Sequence, residues 1–183
     1  MGPRVRGDDA GFCVGVTPMS PHLRAGVIAG IVTLVLDQAS KLWLLFVFDI
    51  ARRGTVKVTP FFDLVLAWNV GISFGWFQND SFLVQAVLTT IKAIAVIVLA
   101  IWMARSRTLL ATMALGLIIG GAIGNAIDRV AYGAVVDFAL FHVQIGGNTY
   151  HWYVFNLADV AIVAGVAALL YDSFLGVPAA KAP

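Results

Sequence analysis

Two aspartates in this chain sit where an ordinary surface carboxylate would not. Asp137, in VVDF, is bracketed by Val135, Val136 and Phe138, and Asp159, in FNLAD, by Leu157, Ala158 and Val160. Neither has a basic neighbour in sequence. Burial disfavours the charged form of a carboxyl, and two carboxyls brought close cannot both ionise readily, so they share a proton and titrate as a pair. A pair of that kind can hold a water between one acid and one base, which is the chemistry of the aspartic proteases. All ten acidic residues of the chain are aspartates, so any carboxylate chemistry falls to Asp. Charge placement alone leaves a second reading open, a proton-coupled transporter in which Asp37 and Asp159 load and release protons.

Other polar residues fall in apolar surroundings. Asp37 and Lys41 are spaced i, i+4 with the acid N-terminal, the favourable order for a helical ion pair. Asp128 beside Arg129 reads as an ion pair at a helix end, and Asn125 lies one turn before Arg129. Lys92 stands in an apolar run with no acid near it in sequence, which calls for an interhelical partner or a snorkelling path. A serine–lysine pair is a further enzyme reading. Ser40 and Lys41 are adjacent, however, and i, i+1 residues of a helix do not face each other, so only Ser73 with Lys41 stays conceivable. His22, His142 and His151 lack the i, i+4 spacing of a zinc helix, and the single Cys13 excludes an internal disulfide and a cysteine metal cluster. No metal site is expected.

These residues need a scaffold, and the composition says which kind. The 183 residues are 60% hydrophobic and 12% charged, with a mean hydropathy of +0.90, the profile of an integral membrane protein. A net charge of +2 without a clustered basic face argues against nucleic acid. Four apolar segments approach the length of about 20 residues that spans a bilayer, at 25–47, 82–103, 109–130 and 154–174. The tight turn 104–108 carries Arg105 and Arg107 and reads as cytoplasmic, which puts both termini on that side. Six Lys or Arg then lie inside against three outside, Arg52, Arg53 and Lys57, as the positive-inside rule asks. Asp37 lies about 18 Å along the first span at 1.5 Å per residue. On this topology Asp37, Lys41, Asn125, Asp128, Arg129, Asp137, Asn156 and Asp159 all fall in the outer leaflet or just beyond it.

The expected fold is therefore an all-α membrane core of four transmembrane helices with a small exoplasmic β-structured lobe. The lobe is placed at 49–81, where Thr55 to Thr59 alternates with period two and Phe61 to Trp68 is rich in strand formers. Trp68, Trp76 and Phe77 suit the headgroup layer. Gly116, Gly120 and Gly124 in the third span, four residues apart, form a small-residue face for close helix packing. The division is a cytoplasmic tail 1–23, a membrane domain 24–174 and a cytoplasmic tail 175–183. The first 23 residues lack the apolar core of a signal peptide, and Met19 is the expected natural start.

At these residues the chain resembles lipoprotein signal peptidase, also called signal peptidase II, the four-span aspartic peptidase of bacterial inner membranes. LDQASK (36–41), NVGISFG (69–75), GGAIGNAIDR (120–129), VVDF (135–138) and FNLAD (155–159) occur in the family's order. The resemblance implies that Asp137 and Asp159 are the catalytic dyad, activating water to cut a prolipoprotein just before its diacylglyceryl-modified cysteine, with no cofactor. It implies further that Asn69, Gly71 and Arg129 hold substrate, that Asn125 and Asn156 hydrogen-bond near the dyad, and that Asp37, Lys41 and Asp128 support or orient it. Membrane lipid as a partner, an active site at the periplasmic face and inhibition by globomycin-type cyclic peptides follow from the same likeness. Three departures are visible. Ser73 stands where alanine is common, the segment HVQIGGNTYHWYVFN is slightly long, and Tyr153 replaces the proline usual after Trp152.

Overall fold

The computed structural model describes residues 19–70 and 82–175, without the side chains of 82–89, Lys92 and Leu175. The expectations for Gly71, Ser73, Trp76, Phe77 and the partner of Lys92 lie outside the described residues.

Helix α1, Pro21–Leu42, begins at Ser20, whose Oγ accepts the Leu23 N–H at 3.2 Å, with Pro21 in the first turn. That is a standard helix start, since proline loses no hydrogen bond there. The helix runs on into a wider π-helical turn, Trp43–Val47, and a left-handed Asp49 (φ 53°) turns the chain into the four-residue α2, Ile50–Arg53. Helices α3, Phe82–Arg105, α4, Leu109–Tyr132, and α5, Leu157–Leu175, complete the helical part. Thr108 caps α4 by accepting the Ala111 N–H at 3.1 Å, and its hydroxyl reaches Asp172 near the end of α5. Gly133 (φ 74°) ends α4 in the left-handed conformation that glycine adopts without strain.

Among the described residues, three helices are long and apolar enough to cross a membrane, Pro21–Val47, Leu109–Tyr132 and Leu157–Phe174. The expected second span coincides with α3, a 24-residue helix whose described apolar stretch is Ala93–Arg105. The last helix starts later than expected. Residues 154–156 are extended chain, and Asn156 precedes the helix. The inside-out pattern of the bundle matches a lipid surround: Val163 and Phe174 are 68% and 80% exposed, whereas Asp37, Lys41 and Asp128 are at most 2% exposed.

The lobe is larger than its expected boundaries. Strands β1, Val56–Thr59, and β2, Phe62–Asn69, pair as an antiparallel hairpin within the expected β-structured lobe, while α2 adds a helical turn that alternation did not indicate. The segment between α4 and α5 then contributes β3, Val135–Ile145, and β4, Asn148–His151, giving a four-stranded antiparallel sheet in chain order. Gly146 and Gly147, both at positive φ, make the β3–β4 turn. Asp137 pairs across β2 with Ala67, and Asn69 with Val135. Beyond the hairpin, Phe155 exchanges backbone hydrogen bonds with Ala139 at 2.8 and 3.0 Å. Phe138 and Ala139 pack with Leu44 and Ile50 into a small apolar core, which Phe155 flanks.

Close helix packing explains the glycines. A Cβ on Gly116 would collide with the Gly26 carbonyl oxygen, and one on Gly120 with that of Gly30, so α1 and α4 touch backbone to backbone. Gly124 serves another purpose. Its missing Cβ leaves room for the Asp37 carboxylate, 2.5 Å from where that atom would stand. Gly120→Ala is expected to destabilise the protein by about 1–3 kcal/mol through overpacking, read as a lower thermal midpoint in detergent. An unchanged midpoint would show that the α1–α4 contact is not close-packed in solution.

Candidate active site

The site forms where α1, α4, β2, β3 and the start of α5 meet. Asn156 is its hub. Its side-chain Oδ1 accepts the Asp159 N–H at 3.0 Å while its own N–H donates to Asp159 Oδ2 at 3.2 Å. Asn156 is thus the N-cap of α5 and Asp159 its third residue, a reciprocal capping pair that holds the Asp159 side chain at the helix start. The Asn156 Nδ2 points the other way and donates to Asp137 Oδ1 at 2.6 Å and to Asn125 Oδ1 at 3.0 Å. One residue therefore bonds both carboxyls, Asp159 through its backbone N–H and Asp137 through its side chain.

Each aspartate has a second amide donor. Asn69 Nδ2 donates to Asp137 Oδ2 at 3.0 Å, and Asn125 Nδ2 to Asp159 Oδ1 at 3.0 Å. Asp137 is 2% exposed, and Asp159 is partly open. Burial raises the Asp137 carboxyl to a pKa of about 6; Asp159 adds to the rise, and the amides of Asn69 and Asn156 and the charge of Lys41 oppose it. Asp137 thereby holds a proton into mildly acidic conditions.

Behind the pair lies a buried charge cluster. Lys41 Nζ stands 2.7 Å from Asp37 Oδ2, 2.7 Å from Asp128 Oδ2 and 3.1 Å from Asn125 Oδ1. The i, i+4 pair expected from sequence is present, but it closes on Asp128 as well. The oxygens of Asp128 take Lys41, Gln38 and the Val136 N–H. Asp37 Oδ1 accepts the Ala158 N–H at 3.0 Å. Arg129 is half-buried, donates to the Asn125 carbonyl at 3.1 Å, and lies within Coulombic reach of Asp128, Asp137 and Asp159.

Of the residues singled out in the sequence, Asp37, Lys41, Asn69, Asn125, Asp128, Arg129, Asp137, Asn156 and Asp159 all join this cluster; Gly71 lies outside the described residues. Gln38 was missed. It donates to Asp128 Oδ1 at 2.9 Å and to the Gly124 carbonyl at 3.1 Å, and its only sequence signal is an amide set between Asp37 and Lys41 in a span. The rival readings fare less well. Asp37 is fully buried against Lys41, a poor position for loading protons. The Ser40 hydroxyl donates to its own helix at Asp37 O, 2.7 Å away, and the Lys41 protons are taken by carboxylates and an amide.

The family model described as signal peptidase (SPase) II matches residues 29–175. A lipoprotein signal peptidase of Nitrobacter hamburgensis is 74% identical over 165 residues, covering 90% of this chain and 100% of its own length. One from Rhodopseudomonas palustris (strain ATCC BAA-98 / CGA009) is 69% identical with the same coverage. Among solved structures, a bacterial membrane enzyme superposes with a TM-score of 0.65 at 27% identity, covering 87% of this chain and 95% of that one.

Loss of the hub should be legible in stability. Asn156→Ala is expected to cost about 0.5–2 kcal/mol from the cap alone, whereas Asn156→Ser keeps a capping oxygen and should recover most of it. Thermal unfolding of the two variants in detergent checks this; equal losses would mean that the cap contributes little.

Proposed function

Because the chain belongs to the signal peptidase II family, we propose that it removes the signal peptide from diacylglyceryl-modified prolipoproteins, with Asp137 and Asp159 as the catalytic aspartates. The observation that carries this reading is Asn156, one residue whose backbone N–H donates to the Asp159 carboxyl and whose side-chain amide donates to that of Asp137. Asp137 bears the shared proton, being the more buried. Asp159, as carboxylate, takes a proton from water while the water oxygen attacks the carbonyl carbon before the lipidated cysteine. Asp137 gives its proton to the carbonyl oxygen, forming a gem-diol. Collapse of the diol breaks the C–N bond, the cysteine nitrogen receives a proton from the dyad, and the signal peptide leaves with a new carboxyl group.

The rest of the reading follows from the same assignment. The protein lies in the bacterial inner membrane with α3 as a fourth span, 1–23 and 175–183 cytoplasmic, and the sheet at the periplasmic face. Acyl chains of the substrate anchor its cysteine at the depth of the dyad, so membrane lipid does part of the positioning. Asn69, Arg129 and Gly71 hold the substrate backbone. Globomycin-type cyclic peptides are expected to compete with it.

Asp137→Asn and Asp159→Asn should each abolish cleavage of a diacylglyceryl prolipoprotein peptide by the purified protein, and the wild type should leave the unlipidated peptide whole. Full-rate cutting by either variant removes that residue from the mechanism. A second expectation concerns pH. Asp137 is active when protonated, so raising the pH through about 6 empties the active form, and kcat/KM should fall about tenfold per unit on the alkaline side. A profile flat between pH 5 and 8 would contradict the assignment of the proton to Asp137.

A further inference from the structure

The two carboxylates held by Lys41 end on equivalent atoms. Asp37 accepts the N–H of Ala158, the residue directly before Asp159, and Asp128 accepts the N–H of Val136, the residue directly before Asp137. Lys41 joins them, 2.7 Å from each. Its third proton goes to Asn125 Oδ1, and the same amide donates to Asp159. One ammonium thus reaches the backbone beside both reactive carboxyls through two arms of the same length, carboxylate then amide N–H.

Stability does not account for this arrangement. A buried ion cluster gains little over apolar side chains of the same volume, because the desolvation of each charge offsets the attraction. Nor is it needed to bring α1 to α4, which the contacts of Gly26 and Gly30 with Gly116 and Gly120 already do. What the cluster does is tie the backbone directly before each aspartate, at the start of α5 and in β3, to one central charge.

We propose that Lys41 is a positioning residue for the cleavage reaction, setting the separation of the Asp137 and Asp159 carboxyls through these matched arms without touching substrate. The proposal rests on the dyad reading above. Geometry of this kind carries weight in rate, since a misplacement of about 1 Å can cost roughly a hundredfold. Lys41 also faces Asp137 electrostatically, together with Asp159, so its removal alters the proton inventory of the pair.

The test is the kinetics of Lys41→Met in detergent-purified protein on a diacylglyceryl prolipoprotein peptide. The expected result is a kcat about a hundredfold lower, a KM within about threefold of wild type, and an alkaline limb of kcat/KM moved to higher pH, because loss of the cation favours protonated Asp137. A KM rise with kcat intact would make Lys41 a substrate contact. A kcat loss matched by loss of folded protein, with the pH midpoint unmoved, would make it structural. Either overturns the proposal. Should Lys41→Met not fold, the near-isosteric Asp37→Asn and Asp128→Asn carry the same test. If both arms act on one separation, their double variant loses scarcely more kcat than either alone, whereas multiplicative losses contradict a common role. Full activity of Asp137→Asn or Asp159→Asn would instead remove the dyad reading, whatever Lys41 does.

Discussion

An ammonium group shut off from water must find all its hydrogen-bond partners within the protein, and Lys41 finds three oxygens, on Asp37, Asp128 and Asn125. Much of the fold answers that demand. The partners lie on two helices, so α1 and α4 must approach more closely than side chains usually allow, and glycines at four facing positions permit it. Gly124 leaves space for the Asp37 carboxyl itself. The carboxylates in turn have oxygens left to satisfy, and they take the backbone N–H groups that open α5 and β3. In a low-dielectric surround each such pairing is costly to break, so the two chain segments that carry Asp137 and Asp159 are fixed by the same requirement.

The sheet meets this bundle from the other side. Asn69 comes from the segment between α1 and α3, and Asp137 from the segment between α4 and α5, and their contact exists because β2 and β3 pair. Two connections far apart in sequence thereby become one surface.

How much of this was legible beforehand differs from element to element. Three of the four expected spans and the two isolated aspartates were visible because hydropathy and charge are local properties. Strands β1 and β2 were visible through alternation at 55–59 and strand-forming residues at 61–68. β3 was not, because VVDFALFHVQI is apolar on both faces where it is buried, Asp137 apart, and its partners in β2 lie 66–79 residues away. The place of Asn156, not its hydrogen bonding, was off by one step: within FNLAD it reads as part of a span, and only the capping geometry separates it from the helix. Gln38 went unnoticed for a similar reason. An amide between two charged residues is unremarked in sequence until a neighbouring helix supplies its acceptors.

The backbone bridge between Ala139 and Phe155 closes off everything between them as a loop with its own base. The strand pairing and the Gly146–Gly147 turn lie beyond that base, while Asp137 and Asn156 lie on the near side of it. Length added or lost at the hairpin tip is therefore absorbed there, short of Asp137 and Asn156. The hairpin tip is thus a free end beside a fixed centre, where residues can change without moving either aspartate.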